Sequence, residues 1–314
     1  MKIVKFGGTS VGSSERMRAV ANIVTANKEK VIVVLSAMSG VTNKLEALGG
    51  QAEITLLKHA LVEIKQKHFK VANELLKHSE KCKTEIAFLI DNITHGNCFE
   101  ILALGEQLST LLFNHYLLEC GFDSSLLNAL DFMVLNSEGE PDEQAISSLI
   151  RPILEENKAS IYVTQGFVCR NKLGAVSNLK RGGSDYSAAL IGAAIHASIV
   201  EIWTDIDGFH NNDPRFVENT KSISCLSFSE AAELAYFGAK ILHPATIWPA
   251  RRKGISVQLK NTLVPSLSGT IINDEGSGHG FKAVAAKDGI TAISIRSARM
   301  LMAYGFLSKV FGVF

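Results

Sequence analysis

The sequence predicts an α/β protein with a mostly parallel central sheet and helices on both of its faces. Short apolar runs rich in β-branched residues alternate along the chain with longer segments of helical periodicity. Each run is continuously apolar, which is typical of strands that are covered on both faces. Four such runs occur, at 2–6, 31–36, 160–165 and 199–204. Helical patterns occupy segments between and after them, at 14–27, 98–120 and 185–197. This alternation predicts parallel strands joined by helical crossovers.

The composition excludes several classes of protein. In 314 residues, 32 Lys and Arg balance 31 Asp and Glu, so no charge excess points to nucleic acid. Five cysteines lie apart without a CxxC pair, which is typical of a reduced protein and offers no metal site. The longest apolar runs are too short to cross a bilayer, and the amino terminus enters a strand without a secretory leader. We therefore expect a cytoplasmic protein that binds small molecules, with no nucleic acid and no membrane among its partners.

The first strand ends in a glycine loop, "KFGGTSVGSS", which has three possible interpretations. Gly7-x4-Gly12 has the spacing of a Walker A loop, but Ser13 stands where that loop has its lysine. "GTSVG" also matches the turn that carries a serine nucleophile. We reject that interpretation, because its oxyanion donor comes from an earlier strand–helix loop and only nine residues precede Ser10. The alternatives left are a structural turn and an anion site built from backbone amides, a helix amino terminus and Lys5.

Two segments depart from the alternation of strands and helices. Residues 44–93 are helical in period and carry scattered charges, and we interpret them as a helical hairpin outside the sheet. Glycine and polar residues cluster at 273–284, where we expect a domain boundary. Beyond it, the pattern predicts a strand, a loop and the start of an amphipathic helix. About thirty residues are too few for a second domain, so we expect the chain to stop within a larger protein.

A second glycine motif, "RGGSDYSAAL", begins a helix rich in Ala and Gly. Arg181 precedes two glycines and a helix amino terminus, a combination that can bind an anion. The simpler alternative is an ordinary helix start with Ser184 or Asp185 as N-cap and Arg181 in solvent. The two glycines and the arginine favour the anion site, since a cap alone does not need them.

A polar cluster, "WTDIDGFHNNDPR", lies at the end of the apolar run 199–204. Ligands of parallel α/β sheets bind beyond the carboxyl ends of strands, so this cluster is a candidate binding loop. Its aspartates do not form a calcium loop, because Gly208 and Pro214 break the EF-hand order. A plain turn rich in Asp, Asn and Gly is the alternative.

Two charged residues lie in apolar helical segments. Lys240 is in the stretch "YFGAKILHP", and lysine is rarely buried unless it meets an anion. On helix 98–120, Leu104, Leu108 and Leu111 belong to the apolar stripe, and Glu106 lies off it. Considered alone, Glu106 is therefore expected to be a solvated carboxylate.

Taken together, the motifs resemble those of a known family. Seven of them occur in the order and spacing of aspartate kinases (aspartokinases), in the amino-acid kinase superfamily: "KFGGTSV", "LSAMSGVTN", "GEQLS", "TQGFV", "RGGSDYSAAL", "WTDIDGFHNNDPR" and "FGAKILHP". The resemblance covers about residues 1–275 and is closest to the lysine-sensitive type. The tail "SARMLMAYGFLSKVFGVF" resembles the start of the ACT regulatory region of that family.

The resemblance implies a three-layer αβα fold with a mostly parallel sheet of about eight strands. It implies an amino-acid kinase catalytic domain over residues 1–281 and the beginning of a truncated ACT region over 282–314. The implied reaction transfers the γ-phosphoryl group of ATP, with Mg²⁺, to the β-carboxylate of L-aspartate, the first step toward lysine, threonine and methionine. A homo-oligomer, as a dimer, is also implied. The alternatives are another acceptor, such as glutamate or N-acetylglutamate, and a fragment that binds nucleotide without turnover.

For the phosphoryl donor, the resemblance implies two sets of contacts. Lys5 and the amides of Gly7 and Gly8 would hold the transferring phosphoryl group, and Asp185 would orient Lys5. Lys240 and Mg²⁺ would contact the nucleotide phosphates. The residues implied to line the nucleotide site are Thr204, Asp205, His210 and Arg215.

For the acceptor, the resemblance implies a pocket for a free amino acid. Arg181 would bind the α-carboxylate of aspartate in a two-pronged pairing, and Glu106 would bind its α-ammonium group. The remaining residues implied for this pocket are Ser36, Thr42, Phe167 through its backbone, Gly182, Gly183 and Ser184.

Four positions differ from the usual pattern of the family. Lys180 stands where a glycine usually precedes the Arg-Gly-Gly run, and it adds a cation beside Arg181. His210 replaces a frequent tyrosine, and Asn211-Asn212 replace frequent threonines. These changes affect the nucleotide loop and leave the implied class of reaction intact.

Overall fold

The structure is a computed structural model that describes most of the chain. The described residues are 1–27, 29–47, 54–93, 98–180, 182–237, 242–276, 280–296 and 304–313. None of the helices within these ranges is both long and apolar enough to cross a bilayer.

Strands and helices alternate along the described residues much as the sequence predicts. The strands are β1 (Lys2–Phe6), β2 (Val31–Leu35), β3 (Ser124–Leu127), β4 (Ile161–Gln165), β5 (Val168–Arg170), β6 (Val176–Asn178), β7 (Val200–Thr204), β8 (Cys225–Ser227), β9 (Val257–Asn261) and β10 (Thr270–Asn273). The helices are α1 (Ser14–Thr25), α2 (Val41–Glu46), α3 (Ile54–Leu75), α4 (Glu80–Asp91), α5 (Cys98–Glu119), α6 (Glu143–Glu156), α7 (Gly183–Ile195), α8 (Phe228–Phe237), α9 (Trp248–Arg252) and α10 (Phe306–Phe311).

The described residues form one sheet of eight strands in the order β3-β4-β2-β1-β7-β9-β10-β8, and a separate hairpin of β5 and β6. Six neighbouring strands, from β3 to β9, run parallel. β10 is antiparallel to β9, and β8 is parallel to β10. The predicted α/β fold with a mostly parallel sheet of about eight strands is therefore confirmed.

Helices cover both faces of the sheet, which gives three layers. On β1, Ile3 belongs to a core that also contains residues of α6 and α7. Its neighbour Val4 belongs to a second core, shared with residues of α1 and α5. Successive side chains of a strand point to opposite faces, so each core lies on one face. β2 and β4 are buried along their whole length, which explains why β2 is continuously apolar and β4 is apolar up to Thr164 and Gln165 at its end.

The segment 44–93 contains the expected helical hairpin, as α3 and α4. The hairpin packs on α1 and α5, and its described residues contribute no strand to the sheet. At the start of α1, the Ser14 hydroxyl donates to Glu74 Oε2 over 2.9 Å. Lys44, in α2, pairs with Glu63 of α3. The prediction of helices outside the sheet is confirmed for residues 54–93.

The strand predicted after the boundary region is wrong. Within residues 280–296 no strand is found, and Ile290, Ile293 and Ile295 are exposed. A strand needs a neighbour to satisfy its backbone groups, and none of the described strands pairs with this segment. The amphipathic helix predicted further on is present as the six-residue α10.

His68 is a buried titratable residue in the hairpin. Its side chain on α3 is fully buried, and Nδ1 lies 2.8 Å from the carbonyl oxygen of Ile64. Nδ1 therefore carries the hydrogen, and Nε2 has no hydrogen-bond partner among the described residues. Burial lowers the pKa of His68 from 6.5 to about 4, because the imidazolium form would be desolvated.

We expect His68 to make the fold sensitive to acid. As the pH falls from 6.5 toward 4, the unfolded chain binds a proton that the folded chain does not bind, so the free energy of unfolding falls. The full effect is about 3 kcal/mol. His68→Gln should flatten the pH dependence measured by urea unfolding between pH 4 and 7. His59→Gln, at an exposed position, should keep the wild-type slope; equal slopes for His68→Gln and the wild type would contradict the prediction.

Candidate active site

The candidate site lies at the carboxyl ends of the central parallel strands. β1 has β2 on one side and β7 on the other, so the chain leaves β1 in one direction and later returns on its opposite side. Ligands of open α/β sheets bind outside the carboxyl ends of strands at such a point. The loops that follow β1, β2, β4 and β7 contain most of the residues singled out in the sequence.

The loop after β1 is packed tightly against the loop after β2. The Ser39 N–H donates to the Gly8 carbonyl oxygen over 3.0 Å. A Cβ atom added at Gly8 would lie 2.6 Å from the Ala37 carbonyl oxygen, which is too close for any side chain. The amide of Gly7 donates to the Trp203 carbonyl over 3.4 Å, whereas the amide of Gly8 has no acceptor among the described residues. Of the two amides implied to bind a phosphoryl group, that of Gly8 is thus the free donor.

The same loop leads into α1 through a helix cap. Ser13 is the N-cap of α1, and its hydroxyl accepts the N–H of Arg16 over 3.3 Å. Ser10 is buried, and its hydroxyl oxygen lies 2.8 Å from that of Thr262, at the end of β9. The buried position and this hydrogen bond are unlike those of an exposed serine nucleophile.

Lys5 meets the first turn of α7. Lys5 and Ile3 share the face of β1 that carries α7, because they are two residues apart on the strand. Gly192 lets α7 lie close to the sheet, since a Cβ atom there would be 2.7 Å from Val200 Cγ2. Lys5 Nζ lies 2.7 Å from Asp185 Oδ1, with both side chains mostly buried. The pair is an ion pair by distance, although its angles do not meet those of a hydrogen bond.

The start of α7 differs from an ordinary capped helix. Gly182 is the N-cap, with a left-handed backbone (φ 72°), and no side chain caps the helix. The alternative of Ser184 or Asp185 as N-cap is therefore wrong. The Ser184 hydroxyl instead accepts a hydrogen bond from Ser36 over 3.0 Å. Gly183 lies against Phe167, because a Cβ atom there would be 2.4 Å from the Phe167 ring.

Glu106 is buried next to the loop after β2, contrary to the expectation for this residue considered alone. Its side chain on α5 is 3% exposed. Oε1 accepts the N–H of Ala37 over 3.0 Å, and Oε2 has no hydrogen-bond partner among the described residues. Burial raises the pKa of Glu106 to about 7. A buried carboxylate oxygen without a partner is suited to a cationic donor such as an ammonium group.

The residues after β7 are joined mainly to one another. The Thr204 hydroxyl oxygen accepts the N–H of Asp205 over 2.7 Å. His210 Nε2 lies 2.7 Å from Asp207 Oδ1, and His210 Nδ1 lies 2.8 Å from the Thr220 hydroxyl.

Further along the same segment, Arg215 is exposed and forms a two-pronged pair with Asp213, which lowers the pKa of Asp213 to about 2. The structure thus places the four implied nucleotide residues in one segment next to the end of β7. It brings no other described site residue into contact with His210 or Arg215.

Four further residues complete the account of the positions that the sequence singles out. Thr42 lies in the first turn of α2, directly after the loop that follows β2. Lys180 has a left-handed backbone (φ 56°), which explains why a glycine is favourable at this position. Arg181 and Lys240 lie outside the described residues.

The structure also brings in groups that the sequence analysis missed. The amide of Ala37 binds Glu106, and the Ser109 hydroxyl donates to the Ser36 carbonyl oxygen over 2.8 Å. Gly166 lies against Ser184, since a Cβ atom would be 2.6 Å from the Ser184 side chain. Only Gly166 has a sequence signal, a glycine directly after a buried strand. Ala37 acts through its backbone amide and Ser109 through its hydroxyl, and both contacts depend on how the fold places α5 beside the loop after β2.

Comparison with known proteins places the chain in a clear context. The profile of the Amino acid kinase family matches residues 1–261. Lysine-sensitive aspartokinase 3 of Escherichia coli (strain K12) is 37% identical over 99% of this chain and 73% of its own length. Aspartokinase 1, chloroplastic, of Arabidopsis thaliana is 33% identical over 99% of this chain and 59% of its own length. This chain therefore spans about three quarters of the bacterial relative and about three fifths of the plant relative.

A solved structure shows a corresponding likeness in three dimensions. The crystal structure of E. coli aspartokinase III in complex with aspartate and ADP matches with a TM-score of 0.76 at 35% identity. The match covers 87% of this chain and 64% of that chain.

We expect the contact between the loops after β1 and β2 to require a glycine at position 8. Gly8→Ala should lower the free energy of unfolding by about 1–3 kcal/mol, because the added Cβ meets the Ala37 backbone. Gly7→Ala is the matched control, since its Cβ would lie at an ordinary contact distance of 3.7 Å from Lys5 Nζ. Chemical denaturation of both variants measures the difference. A Gly8→Ala protein as stable as Gly7→Ala would show that the two loops are not in close contact.

Proposed function

Since the chain belongs to the Amino acid kinase family and, within it, to the aspartokinases, we infer that it phosphorylates aspartate with ATP. The γ-phosphoryl group of ATP is transferred to the β-carboxylate of L-aspartate, and 4-phospho-L-aspartate and ADP are the products. A related structure contains both aspartate and ADP, the acceptor and the spent donor of this reaction.

The observation that carries this proposal is a continuous set of contacts around Ala37. Its carbonyl oxygen faces Gly8 in the loop after β1, and its N–H is bound by the buried Glu106. Lys5 is on β1, and its amino group lies next to Gly7 of this loop, since a Cβ atom at Gly7 would be 3.7 Å from Lys5 Nζ. Ala37 thus contacts both the loop that holds the Gly8 amide beside the Lys5 cation and the buried Glu106 carboxylate. The Lys5 cation and the Gly8 amide are suited to a phosphoryl group, and the carboxylate is suited to an amino group.

The chemistry of the reaction needs these kinds of group. The β-carboxylate of aspartate is already ionised at neutral pH, so the reaction does not depend on a general base. The main barrier is electrostatic, because one anion must approach another in line with the leaving oxygen. Cations and N–H donors around the phosphoryl group lower this barrier. Lys5 supplies the cation, the Gly8 amide supplies a donor, and Asp185 fixes the position of Lys5 by the ion pair.

On the acceptor side, each proposed residue matches one charge of aspartate. Glu106 binds the α-ammonium group through Oε2, the oxygen without a partner among the described residues. Arg181 binds the α-carboxylate. The pocket between them is completed by Ser36, Thr42, Phe167, Gly182, Gly183 and Ser184, of which Ser36 and Ser184 are already joined by a hydrogen bond.

On the donor side, we assign the nucleotide to the segment that follows β7. The proposed contacts of the nucleotide are Thr204, Asp205, His210 and Arg215, with Lys240 from a later segment. Mg²⁺ is proposed to bind with the nucleotide and to neutralise charge on its phosphates. The described residues contain no group of three or more Asp, Glu, His or Cys side chains that could hold a metal ion. This donor set is compatible with magnesium held chiefly by phosphate and water, with Asp185 as the carboxylate beside Lys5.

We extend the proposal to the context in which the chain works. Its reaction would begin the synthesis of lysine, threonine and methionine in the cytoplasm. Residues 1–281 form the catalytic domain, and residues 282–314 begin an ACT regulatory region. Assembly as a homodimer completes the proposal, which rests on the family resemblance of the motifs.

A trapping assay tests the activity directly. Incubation of the chain with Mg-ATP, aspartate and hydroxylamine should yield aspartyl hydroxamate, because hydroxylamine captures the acyl phosphate. Glutamate and N-acetylglutamate serve as alternative acceptors in the same assay. Hydroxamate from one of these and none from aspartate would replace aspartate as the proposed substrate. Nucleotide binding without any hydroxamate would indicate a fragment without turnover.

Lys5 provides a residue-level test of the phosphoryl contact. Lys5→Met should lower kcat for hydroxamate formation by about 100- to 1000-fold, because a cation is lost where charge develops. Lys2→Met is the control, since Lys2 is on the same strand but pairs with Glu201. Its kcat should stay near that of the wild type at a temperature where both are folded. Near-normal turnover of Lys5→Met would contradict the proposed contact.

Glu106 provides a test through pH. Its pKa of about 7 means that the side chain is mostly protonated at pH 6 and mostly ionised at pH 8. Only the ionised form attracts the ammonium group, so kcat/KM for aspartate should rise with pH through about 7 and level off above it. Glu106→Gln should lack this rise and lose about tenfold or more in kcat/KM at pH 8.

Glu100→Gln is the control for Glu106, because Glu100 is exposed in the first turn of the same helix. Steady-state kinetics between pH 6 and pH 9 should give the wild-type profile for this control. A wild-type profile that is retained in Glu106→Gln would assign the titration to another group.

A further inference from the structure

The loop after β4 contains a strained turn. Phe167 has a left-handed backbone (φ 67°), a conformation that is rare for an aromatic residue. The Val168 N–H donates to the Gly166 carbonyl over 2.7 Å, so the three residues form a γ-turn with Phe167 at its centre. A γ-turn with positive φ is rare and strained. Such a turn persists only when its surroundings hold it in place.

Ser187 is the side chain that holds this turn. It lies on α7 and is fully buried. Its hydroxyl oxygen accepts the N–H of Phe167 over 2.9 Å. Its own hydrogen goes to the Gly183 carbonyl oxygen, one helical turn earlier, also over 2.9 Å. A serine in a helix commonly forms the second bond, whereas the first bond joins α7 to the loop after β4.

The turn lies beside the groups proposed to bind the acceptor. The N–H of Gly166 donates to the Leu35 carbonyl, directly before Ser36. Gly166 also lies against Ser184, and the Phe167 ring lies over Gly183. The residues Gly183, Ser184 and Asp185 therefore share one helix start with the side chain that fixes Phe167.

The hydrogen bonds around Phe167 determine what its backbone can bind. Its N–H is used by Ser187, and among the described residues its carbonyl oxygen accepts one hydrogen bond, from the Leu179 N–H over 2.9 Å. A carbonyl oxygen has two lone pairs, so one acceptor position is left and no donor. Of the charged groups of aspartate, only the α-ammonium group donates hydrogen bonds. In this arrangement, the Phe167 backbone can therefore bind the ammonium group and neither carboxylate.

We propose that Ser187 is a positioning residue for the acceptor amino acid. By occupying the Phe167 N–H it holds the strained turn and leaves the carbonyl oxygen for the substrate ammonium group, together with Glu106. This inference rests on the proposed function, because it names a residue that serves the same acceptor site.

Three variants test the proposal in the trapping assay. Ser187→Ala removes the acceptor of the Phe167 N–H and should raise KM for aspartate about tenfold or more, with KM for ATP changed less than about twofold. Ser187→Thr restores the hydroxyl and should recover most of the aspartate affinity. Ser187→Cys keeps the volume but offers a weak acceptor, so it should also show a raised KM for aspartate.

The control is Ser147→Ala, which removes a hydroxyl that donates to the Ala194 carbonyl at the other end of α7. It should leave both KM values unchanged. A role confined to stability would change the KM values for aspartate and ATP alike, or would change neither at a temperature where the variant is folded. Either result for Ser187→Ala would overturn the proposal, and so would a raised KM for aspartate that Ser187→Thr does not reverse.

If Ser187→Ala does not fold, the selective rise in KM for aspartate must appear in Ser187→Cys, and its absence there also overturns the proposal. Failure of this inference is distinguishable from failure of the proposed function. A wild-type chain that yields no hydroxamate from aspartate rejects the function itself. An active wild type with an unchanged Ser187→Ala rejects only the positioning role.

Discussion

The close approach of the loops after β1 and β2 is the constraint on which the candidate site depends. The Ala37 carbonyl lies where a side chain at Gly8 would be, and the Ala37 amide is held by Glu106 from the opposite side. One residue, Ala37, thus sets the distance between a loop suited to phosphoryl binding and a carboxylate suited to an amino group. The parallel pairing of β1 with β2, from Lys2 and Val31 to Phe6 and Leu35, brings the two loops to the same edge.

Burial gives the charged groups of this edge their character. Glu106 is buried, and one of its oxygens has no hydrogen-bond partner among the described residues, so burial disfavours its ionised form. Binding of an ammonium group removes part of this cost, and a ligand without an amino group gains nothing from it. In the proposed function, the pocket therefore selects for an amino acid through a charge that none of the described residues satisfies. Lys5 differs from Glu106, because its charge is stabilised by Asp185. The neighbouring residues Gly7 and Gly8 are half-buried.

The sequence predicts the parts of the fold that depend on local pattern. The mainly apolar runs predict β1, β2, β4 and β7 to within one residue, because strands covered on both faces are mostly apolar. The burial of Glu106 is not predicted from the apolar stripe of α5, because that prediction assumes a helix with one buried face. α5 instead lies between the sheet and the hairpin of α3 and α4, and 13 of its 22 residues are buried. The prediction of a strand near residue 290 is wrong for a related reason. A strand depends on a neighbouring strand, and the local sequence pattern does not show whether one is present.

Helix α7 connects the two halves of the proposed reaction. Asp185 in its first turn pairs with Lys5 on the phosphoryl side, and Ser184 and Ser187 contact Ser36 and Phe167 on the acceptor side. Gly192 and the small residues around it let the helix lie directly on β1 and β7. A shift of this helix would therefore change the positions of Lys5 and of the acceptor pocket together. Because the in-line transfer depends on the relative position of donor and acceptor, a rigid element that contacts both is a physical route to fixing that geometry.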